Sequence, residues 1–119
     1  LIGLAALYQA TGHYVRAEGL LTDAINIRIQ SRTQDHPDYA LSLNNLAELY
    51  RVMGDTARAE PLFKEALDRR KTALGEDHPD YAQTLNNLGM FYALVVDPAR
   101  GEPLCKEATA IWKRSLGED

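Results

Sequence analysis

The chain has 119 residues, of which 45% are hydrophobic and 25% charged, and its formal net charge is −4 at pH 7. This composition is ordinary for a globular protein and excludes a disordered or collagen-like chain. A protein that binds nucleic acid usually carries a basic stripe, and none is visible here. The longest apolar runs span a few residues, far short of the roughly 20 that cross a bilayer. We therefore expect neither a nucleic-acid partner nor a membrane partner.

The single cysteine, Cys105, cannot form an internal disulfide. Nothing in the sequence therefore requires an oxidising compartment, and we expect a cytoplasmic protein. The chain starts at Leu1, without a methionine and already inside a periodic pattern. We interpret it as part of a longer repeat protein.

A repeat with a period of 42 residues runs through the sequence. The run Leu-Asn-Asn-Leu at 43–46 returns at 85–88, and the block Asp-His-Pro-Asp-Tyr-Ala at 35–40 returns unchanged at 77–82. Aligned over 35 positions, the second and third copies share 19 identical residues. A weaker first copy keeps its apolar positions as Leu1, Leu4, Ala5 and Tyr8. Such periods are typical of solenoid proteins.

Each repeat is predicted to form two helices. In the first helix of the second repeat, apolar residues recur at i, i+3, i+4 and i+7 and share one face. These residues are Leu43, Leu46, Ala47 and Tyr50. Gly54 then supplies the positive φ that commonly ends a helix, and Asp55 is a natural N-cap for the next one. In the third repeat Val96 replaces this glycine, and we expect a reshaped turn because β-branched residues disfavour positive φ.

These features resemble the tetratricopeptide repeat, in its 42-residue kinesin light chain-like form. The resemblance rests on Leu-Asn-Asn-Leu-Ala-x-x-Tyr at 43–50, Gly54, Ala-Glu-Pro-Leu-Phe at 59–63, and Leu-Gly-Glu-Asp-His-Pro-Asp at 74–80. It covers the whole chain as one array fragment, with repeats at about 1–36, 37–78 and 79–119. The resemblance implies an all-α α-solenoid, a right-handed superhelix of three helix-turn-helix repeats with six antiparallel helices. It also implies that the first helix of each repeat lines the concave side.

Asparagine pairs with apolar neighbours lie opposite the buried face of these first helices. An asparagine amide both donates and accepts hydrogen bonds, so it can bind the backbone of an extended peptide. Exposed apolar side chains beside it favour an apolar anchor on the ligand. We predict a peptide-binding groove formed by Asn44, Asn45, Glu48, Arg51, Val52, Gln83, Asn86, Asn87, Met90 and Leu94. In the alternative interpretation, the asparagines bond between neighbouring helices and fix their stacking.

The charges on this face disfavour one known kind of ligand. Some tetratricopeptide arrays bind C-terminal carboxylates through a lysine or arginine beside such an asparagine. Here no lysine lies on that face, and Arg51 is its only central cation. The mixture of Glu48 and Arg51 instead favours an uncharged or mixed-charge segment with an apolar anchor.

The sequence predicts a non-catalytic scaffold that binds a protein or peptide partner. It contains no phosphate-binding glycine loop and no nucleophile or zinc-protease motif, so we expect no catalytic residue, cofactor or metal. His36 and His78 belong to different repeats, and packed helices lie roughly 8–10 Å apart, too far to share one ion easily. We interpret them as loop and cap residues, and Cys105 as a buried, inert thiol. The alternative function, which the resemblance implies, is a regulatory array attached to an NTPase or caspase-like protease domain.

Two expectations concern the second helices. Arg28 and Arg70 occupy equivalent late positions and are expected to pair with the Asp-His-Pro-Asp loop that follows each. No polar capping helix ends the sequence. We therefore expect Ala108, Ile111 and Trp112 to form an exposed apolar edge on the last helix, through which two copies could associate.

Overall fold

The structure is a computed structural model that describes residues 2–117, and it contains six α-helices within them. The helices are α1 (Ile2–Ala10), α2 (Tyr14–Gln30), α3 (Pro37–Met53), α4 (Thr56–Leu74), α5 (Pro79–Val95) and α6 (Pro98–Leu116). No strand occurs between residues 2 and 117. The predicted all-α class and the six helices are confirmed. Leu1, which the sequence predicts at an apolar position, lies outside the described residues.

The repeated His-Pro-Asp block starts α3 and α5. The Nδ1 atom of His36 accepts a hydrogen bond from the backbone N–H of Asp38 at 3.1 Å, and His78 accepts from Asp80 at 3.0 Å. The proline that follows each histidine occupies the first turn of the helix. A backbone N–H there would have no acceptor within the helix, so proline's missing N–H is tolerated. The aspartates lie near the positive end of the helix dipole. Both histidines are therefore N-caps, as the cap interpretation expected.

The turns between paired helices differ between the second and third repeats. Gly54 has φ +83°, whereas Val96 has φ −112°. The third turn is thus reshaped as expected. It still keeps the hydrogen bond from Asp97 N to Tyr92 O at 2.8 Å, the length of the equivalent bond in the second repeat. Val96 therefore ends α5 without a left-handed residue.

The helices form two compact units, residues 1–62 and 63–119, and the boundary falls within α4. In the first unit α1 packs on α2 and α2 packs on α3. The apolar side chains buried there include Leu21, Leu43, Leu46, Leu49 and Tyr50. In the second unit α5 packs on α6. Its buried residues include Phe63, Phe91, Tyr81, Leu85 and Ile111.

Two glycines bring α5 and α6 into backbone contact. A Cβ added to Gly101 would collide with the carbonyl oxygen of Gly89 and lie 2.7 Å from atoms of Ala93. One added to Gly89 would lie 2.8 Å from the Sγ of Cys105. The second repeat has a buried alanine, Ala59, at the position of Gly101. The smaller residues of the third repeat therefore permit a closer approach than an alanine would allow.

The predicted apolar edge on the last helix is wrong. Ala108 and Ile111 are only 0% and 1% exposed, because they pack against the first turns of α5. Trp112 is half-buried against the same cluster, and its Nε1 donates a hydrogen bond to Pro79 O at 3.2 Å. Self-association through Ile111 therefore lacks the exposed surface that it would need.

Arg70 reaches the start of the following helix, as expected. Its Nη1 donates to the carbonyl oxygen of Asp80 at 2.8 Å, to Gln83 Oε1 at 3.0 Å and to Thr84 Oγ1 at 2.9 Å. Burial lowers the pKa of the Arg70 guanidinium, and the charge of Asp80 opposes that change. Three acceptors thus compensate for the burial of this side chain.

Arg28, the equivalent residue of the first repeat, makes fewer and longer polar contacts with the following helix. It reaches the following helix through one 3.4 Å contact with the Asp38 carboxylate. Ser42, the equivalent of Thr84, is buried, and its Oγ has no hydrogen-bond partner. The pairing expected of both arginines is therefore present, but only Arg70 binds a hydroxyl on the next helix.

We expect Gly101→Ala to lower the free energy of unfolding by about 1–3 kcal/mol, because its Cβ overpacks the α5–α6 contact. The matched control is Gly19→Ala in α2, where the added Cβ meets no atom within 4 Å. This control should raise stability by about 0.5–1 kcal/mol, since alanine is the better helix former. Urea denaturation followed by circular dichroism measures both. Wild-type stability in Gly101→Ala would contradict the close approach.

A second pair of variants tests the two hydroxyl sites. Thr84→Val removes one acceptor from a buried guanidinium and should cost about 1–2 kcal/mol. Ser42→Ala removes a buried hydroxyl that has no partner, so stability should stay the same or increase. Thermal and urea unfolding of both variants provide the comparison. Equal losses in the two variants would show that the sites are equivalent after all.

Candidate peptide-binding surface

The predicted binding residues lie on α3 in the first unit and on α5 in the second. Each helix turns its apolar stripe inward, so that Leu46 and Tyr50 of α3, and Leu88 and Tyr92 of α5, are buried. The remaining positions of both helices carry the predicted binding side chains.

On α3, the two predicted charged residues bind each other. The Nε and Nη2 atoms of Arg51 donate to the two carboxylate oxygens of Glu48 at 3.3 and 3.0 Å. Such a bidentate pair is geometrically specific and leaves little net charge on this face. Val52 is exposed next to Arg51 in sequence, and Asn45 is half-buried. The exposed part of α3 is therefore a neutralised ion pair beside a valine and an amide.

Asn44 differs from the prediction. It is 2% exposed and is engaged inside the protein. A peptide on the surface could not reach its amide without displacing neighbouring residues. Asn44 therefore offers no exposed amide to a ligand, whereas its neighbour Asn45 keeps some exposed surface.

After its first turn, the exposed surface of α5 is uncharged and includes two large apolar side chains. Met90 and Leu94, one helical turn apart, are 45% and 65% exposed. Asn86 and Asn87 are half-buried. Gln83 is exposed, but its Oε1 already accepts the hydrogen bond from Arg70. Asp80, in the first turn, is the single charged residue of α5.

A repeated arginine–tyrosine contact was not predicted. In each repeat the guanidinium of an arginine lies over a tyrosine ring, within the range of a cation–π interaction. The distances to the ring centroids are 5.6 Å for Arg16 over Tyr8, 5.6 Å for Arg58 over Tyr50 and 4.6 Å for Arg100 over Tyr92. The signal in the sequence was a tyrosine followed by an arginine at the same spacing in all three repeats. These contacts join the end of each first helix to the start of the second.

In the first unit this contact belongs to a larger polar cluster. The hydroxyl of Tyr50 donates to Glu18 Oε2 at 2.6 Å, which links α3 to α2. Arg58 lies 3.9 Å from Glu18 and 3.3 Å from the Asp55 carboxylate. Burial, and then the hydrogen bond to Glu18, raise the pKa of Tyr50, whereas Arg58 acts in the opposite direction. The cluster holds the α2–α3 packing in register.

Residues that could carry chemistry are either engaged or dispersed. Cys105 is half-buried rather than buried, and its Sγ lies 3.9 Å from the carbonyl oxygen of Asn86. Both cap histidines have Nδ1 committed to a backbone N–H. Across residues 2–117, no group of three or more His, Cys, Asp or Glu side chains could hold a metal ion. Within the same range no helix is both long and apolar enough to span a membrane.

A family model for the tetratricopeptide repeat matches residues 1–38, 40–80 and 82–119. No match was found among curated proteins. Among solved structures, BtubC (BKLC) from P. vanneervenii is 29% identical with a TM-score of 0.87, and the alignment covers 93% of this chain and 44% of that one.

Two further crystal structures are also similar to this chain. Both are described as nearly identical TPR-like repeats of a kinesin light chain from Podosopora anserina. They are 23% and 24% identical, with TM-scores of 0.79 and 0.77. The alignments cover 97% and 96% of this chain and 54% of each of theirs. The chain therefore spans about half the length of the solved proteins that it matches.

The Tyr50–Glu18 bond predicts a loss of stability at alkaline pH. Because the pKa of Tyr50 in the folded protein lies above its ordinary value of 10.0, its stabilisation is complete below about pH 10 and is lost as the pH rises through the folded-state value. Burial raises the pKa of Tyr81 too, so the wild type should lose stability from both groups. Tyr50→Phe should reduce the loss of stability as the pH rises above about 10. Urea unfolding across this range measures it, with Tyr14→Phe as control; identical pH profiles for the two variants would contradict the assignment.

Proposed function

The chain belongs to the tetratricopeptide repeat family, and from this premise we propose that it is a non-catalytic scaffold that binds an extended peptide or helix of a partner protein in its concave groove. Repeats of this family generally mediate protein–protein interactions and are typically non-catalytic. The resemblance predicted from the sequence, including its kinesin light chain-like form, is confirmed by these matches.

The observation that carries the proposal is the exposed apolar side of α5. Met90 and Leu94 are exposed on a helix that carries no charge after Asp80. Exposed apolar side chains grouped in this way are typical of interaction sites. The half-buried amides of Asn86 and Asn87 can donate to and accept from a peptide backbone. These groups suit a partner segment with an apolar anchor and no charge at the point of contact.

The state of Arg51 supports the same class of ligand. It is already bound by both oxygens of the Glu48 carboxylate, so a ligand carboxylate would have to displace that side chain. An uncharged or mixed-charge segment can instead lie beside Val52 and Asn45 without disturbing the pair. With Asn44 buried, the proposed contacts are Asn45, Glu48, Arg51, Val52, Gln83, Asn86, Asn87, Met90 and Leu94.

A second candidate is a regulatory array within a longer protein that also contains an NTPase or caspase-like protease domain. The chain spans 44–54% of the solved chains that it matches, so such neighbours are compatible with the similarity. In that case the same surface would contact the catalytic domain or its activator.

A cytoplasmic location is part of the proposal, supported by the free thiol of Cys105.

Selection of peptides from a display library, followed by calorimetry, tests the proposed surface. Met90→Glu should weaken the selected peptides by at least about tenfold, because it places a charge at the apolar contact. The matched control is Val15→Glu on α2, where an exposed valine lies outside the surface, and its affinity should stay within about twofold of wild type. Selected peptides should carry an apolar anchor. Equal affinity for wild type and Met90→Glu would move the binding site to another face.

The asparagines need a separate variant because their two interpretations predict different outcomes. If they contact the ligand, Asn45→Ala with Asn87→Ala should weaken binding and leave urea unfolding nearly unchanged. If they fix the packing of the helices, the free energy of unfolding should fall while the affinity of the remaining folded protein stays the same. Calorimetry and urea denaturation on the same preparation distinguish the two.

A further inference from the structure

All three histidines of the chain stand at the N-cap of a helix. The Nδ1 atom of His36 accepts a hydrogen bond from the backbone N–H of Asp38 at 3.1 Å. His78 makes the same bond with Asp80 at 3.0 Å. The side chain of His13, before α2, makes no cap bond. Two of the three imidazoles therefore act as hydrogen-bond acceptors at the start of a helix.

The cap bonds of His36 and His78 require a neutral imidazole. An imidazolium carries a proton on both ring nitrogens, so its Nδ1 cannot accept a hydrogen bond. A positive charge is also unfavourable beside the positive end of the helix dipole. Histidine in water takes up its second proton near about pH 6.5. Because His36 is exposed and His78 is half-buried, protons from solvent reach both rings.

His13 provides an internal comparison. Its Nδ1 lies 2.8 Å from the hydroxyl oxygen of Thr11. This hydroxyl donates to the carbonyl oxygens of Leu7 and Tyr8, at 3.0 and 3.2 Å. Its oxygen can therefore accept from a protonated Nδ1, and the contact survives protonation. Protonation thus removes a hydrogen bond at two histidines and not at the third.

The charged groups around His78 nearly balance one another. Its own segment carries the titratable residues Glu76, Asp77, Asp80 and Tyr81. The neighbouring helices add Arg70 and Lys71 from α4, and Glu107 and Arg114 from α6. Two of these groups are paired across elements, Asp77 with Arg114 at 2.9 Å and Glu76 with Lys71 at 3.1 Å. Since exposed pairs of this kind contribute little, loss of the cap bond decides the response to a proton.

The surroundings of His36 are balanced in the same way. Its segment carries Asp35, Asp38 and the buried Tyr39, while Arg28 and Arg32 lie at the end of α2 and in the loop after it. Arg28 binds the Asp38 carboxylate at 3.4 Å. Two carboxylates and two cations thus flank the ring, and the described part of α1 carries no charged residue. Here too the cap bond is the contact that a proton removes.

We propose that the two His-Pro-Asp starts form a proton-sensitive switch, in which the neutral rings of His36 and His78 hold the first turns of α3 and α5, and protonation releases these turns. The unfolded chain binds the same protons without losing a cap. It therefore binds more protons than the folded chain as the pH falls through about 6.5, and stability falls with it.

The consequence is best defined at α5. Its first turns cover Ala108 and Ile111 of α6, which are only 0% and 1% exposed. Release of these turns uncovers both side chains. Mildly acidic pH therefore loosens the packing of α5 on α6 and exposes apolar surface that neutral pH keeps covered.

Urea unfolding between about pH 8 and 5.5 tests the switch, because aspartate and glutamate keep their charge across this range. In the wild type, the equilibrium constant for unfolding should rise roughly fivefold for each cap that is lost. His36→Asn and His78→Asn keep a cap that does not titrate, and the double variant should show little pH dependence. His13→Asn is the matched control and should retain the wild-type dependence.

The single tryptophan of the chain provides a local measurement at α5. The Nε1 atom of Trp112 donates to the carbonyl oxygen of Pro79, next to His78, at 3.2 Å. As the pH falls, the emission maximum of Trp112 should move to longer wavelength in the wild type and in His36→Asn. It should stay constant in His78→Asn. Hydrogen exchange of the Asp80 amide should accelerate with the same pH dependence in the wild type.

Constant stability of the wild type between about pH 8 and 5.5 would overturn the proposal, as would an equal pH dependence in the wild type and the double variant. A shift in Trp112 emission that persists in His78→Asn would exclude His78 as its source. His78→Ser supplies a second cap that does not titrate, so the comparison stands even where asparagine packs poorly. Neither measurement involves a ligand, and the outcome is therefore independent of the proposed binding surface.

Discussion

A single helix of this size cannot bury its apolar stripe by itself, so its stability depends on the helix that covers it. Ile111 and Ala108 are buried because the first turns of α5 lie over them, and Ile27 is exposed because nothing described lies over it. The same constraint explains why the repeated Tyr-Ala pattern is buried wherever it starts a helix. Whether a residue in this chain is buried therefore depends on the helical turns that cover it and not on the residue type alone.

The third repeat departs from the second at several positions, and the departures compensate one another. Gly101 and Gly89 remove side-chain volume, which allows the backbones of α5 and α6 to touch. Cys105, in place of a phenylalanine, then fills the smaller space beside Gly89. Trp112 replaces an arginine, and it binds the carbonyl oxygen of Pro79 at the start of α5. Each of these substitutions alone would reduce packing. Together they produce a helix pair that is packed in a different way.

The charged groups serve the fold and leave the proposed binding surface nearly neutral. Glu18 binds Tyr50, and Arg70 is buried among three acceptors, so both act between helices. On α3, Glu48 and Arg51 neutralise each other, and α5 has no charge after its first turn. Binding at such a surface depends on shape and apolar contact more than on long-range attraction. Its affinity should therefore depend only weakly on salt.

The sequence by itself determined what depends on residues close together in the chain. The 42-residue period, the six helices, the histidine caps and the turn at Gly54 all follow from local rules of capping, φ preference and apolar spacing. Those rules also placed all ten candidate binding residues on the two helices where they lie.

Only the tertiary structure decided how identical residues differ in their surroundings. Asn44 is buried and Asn45 is partly exposed, although they are adjacent and of one type. Arg70 has three acceptors and Arg28 has one distant contact, although the two are equivalent in the repeat. The bond between Glu18 and Tyr50 joins residues 32 positions apart, beyond the reach of any local pattern. In each case the deciding factor is the neighbouring helix, because contact with that helix sets burial and hydrogen bonding.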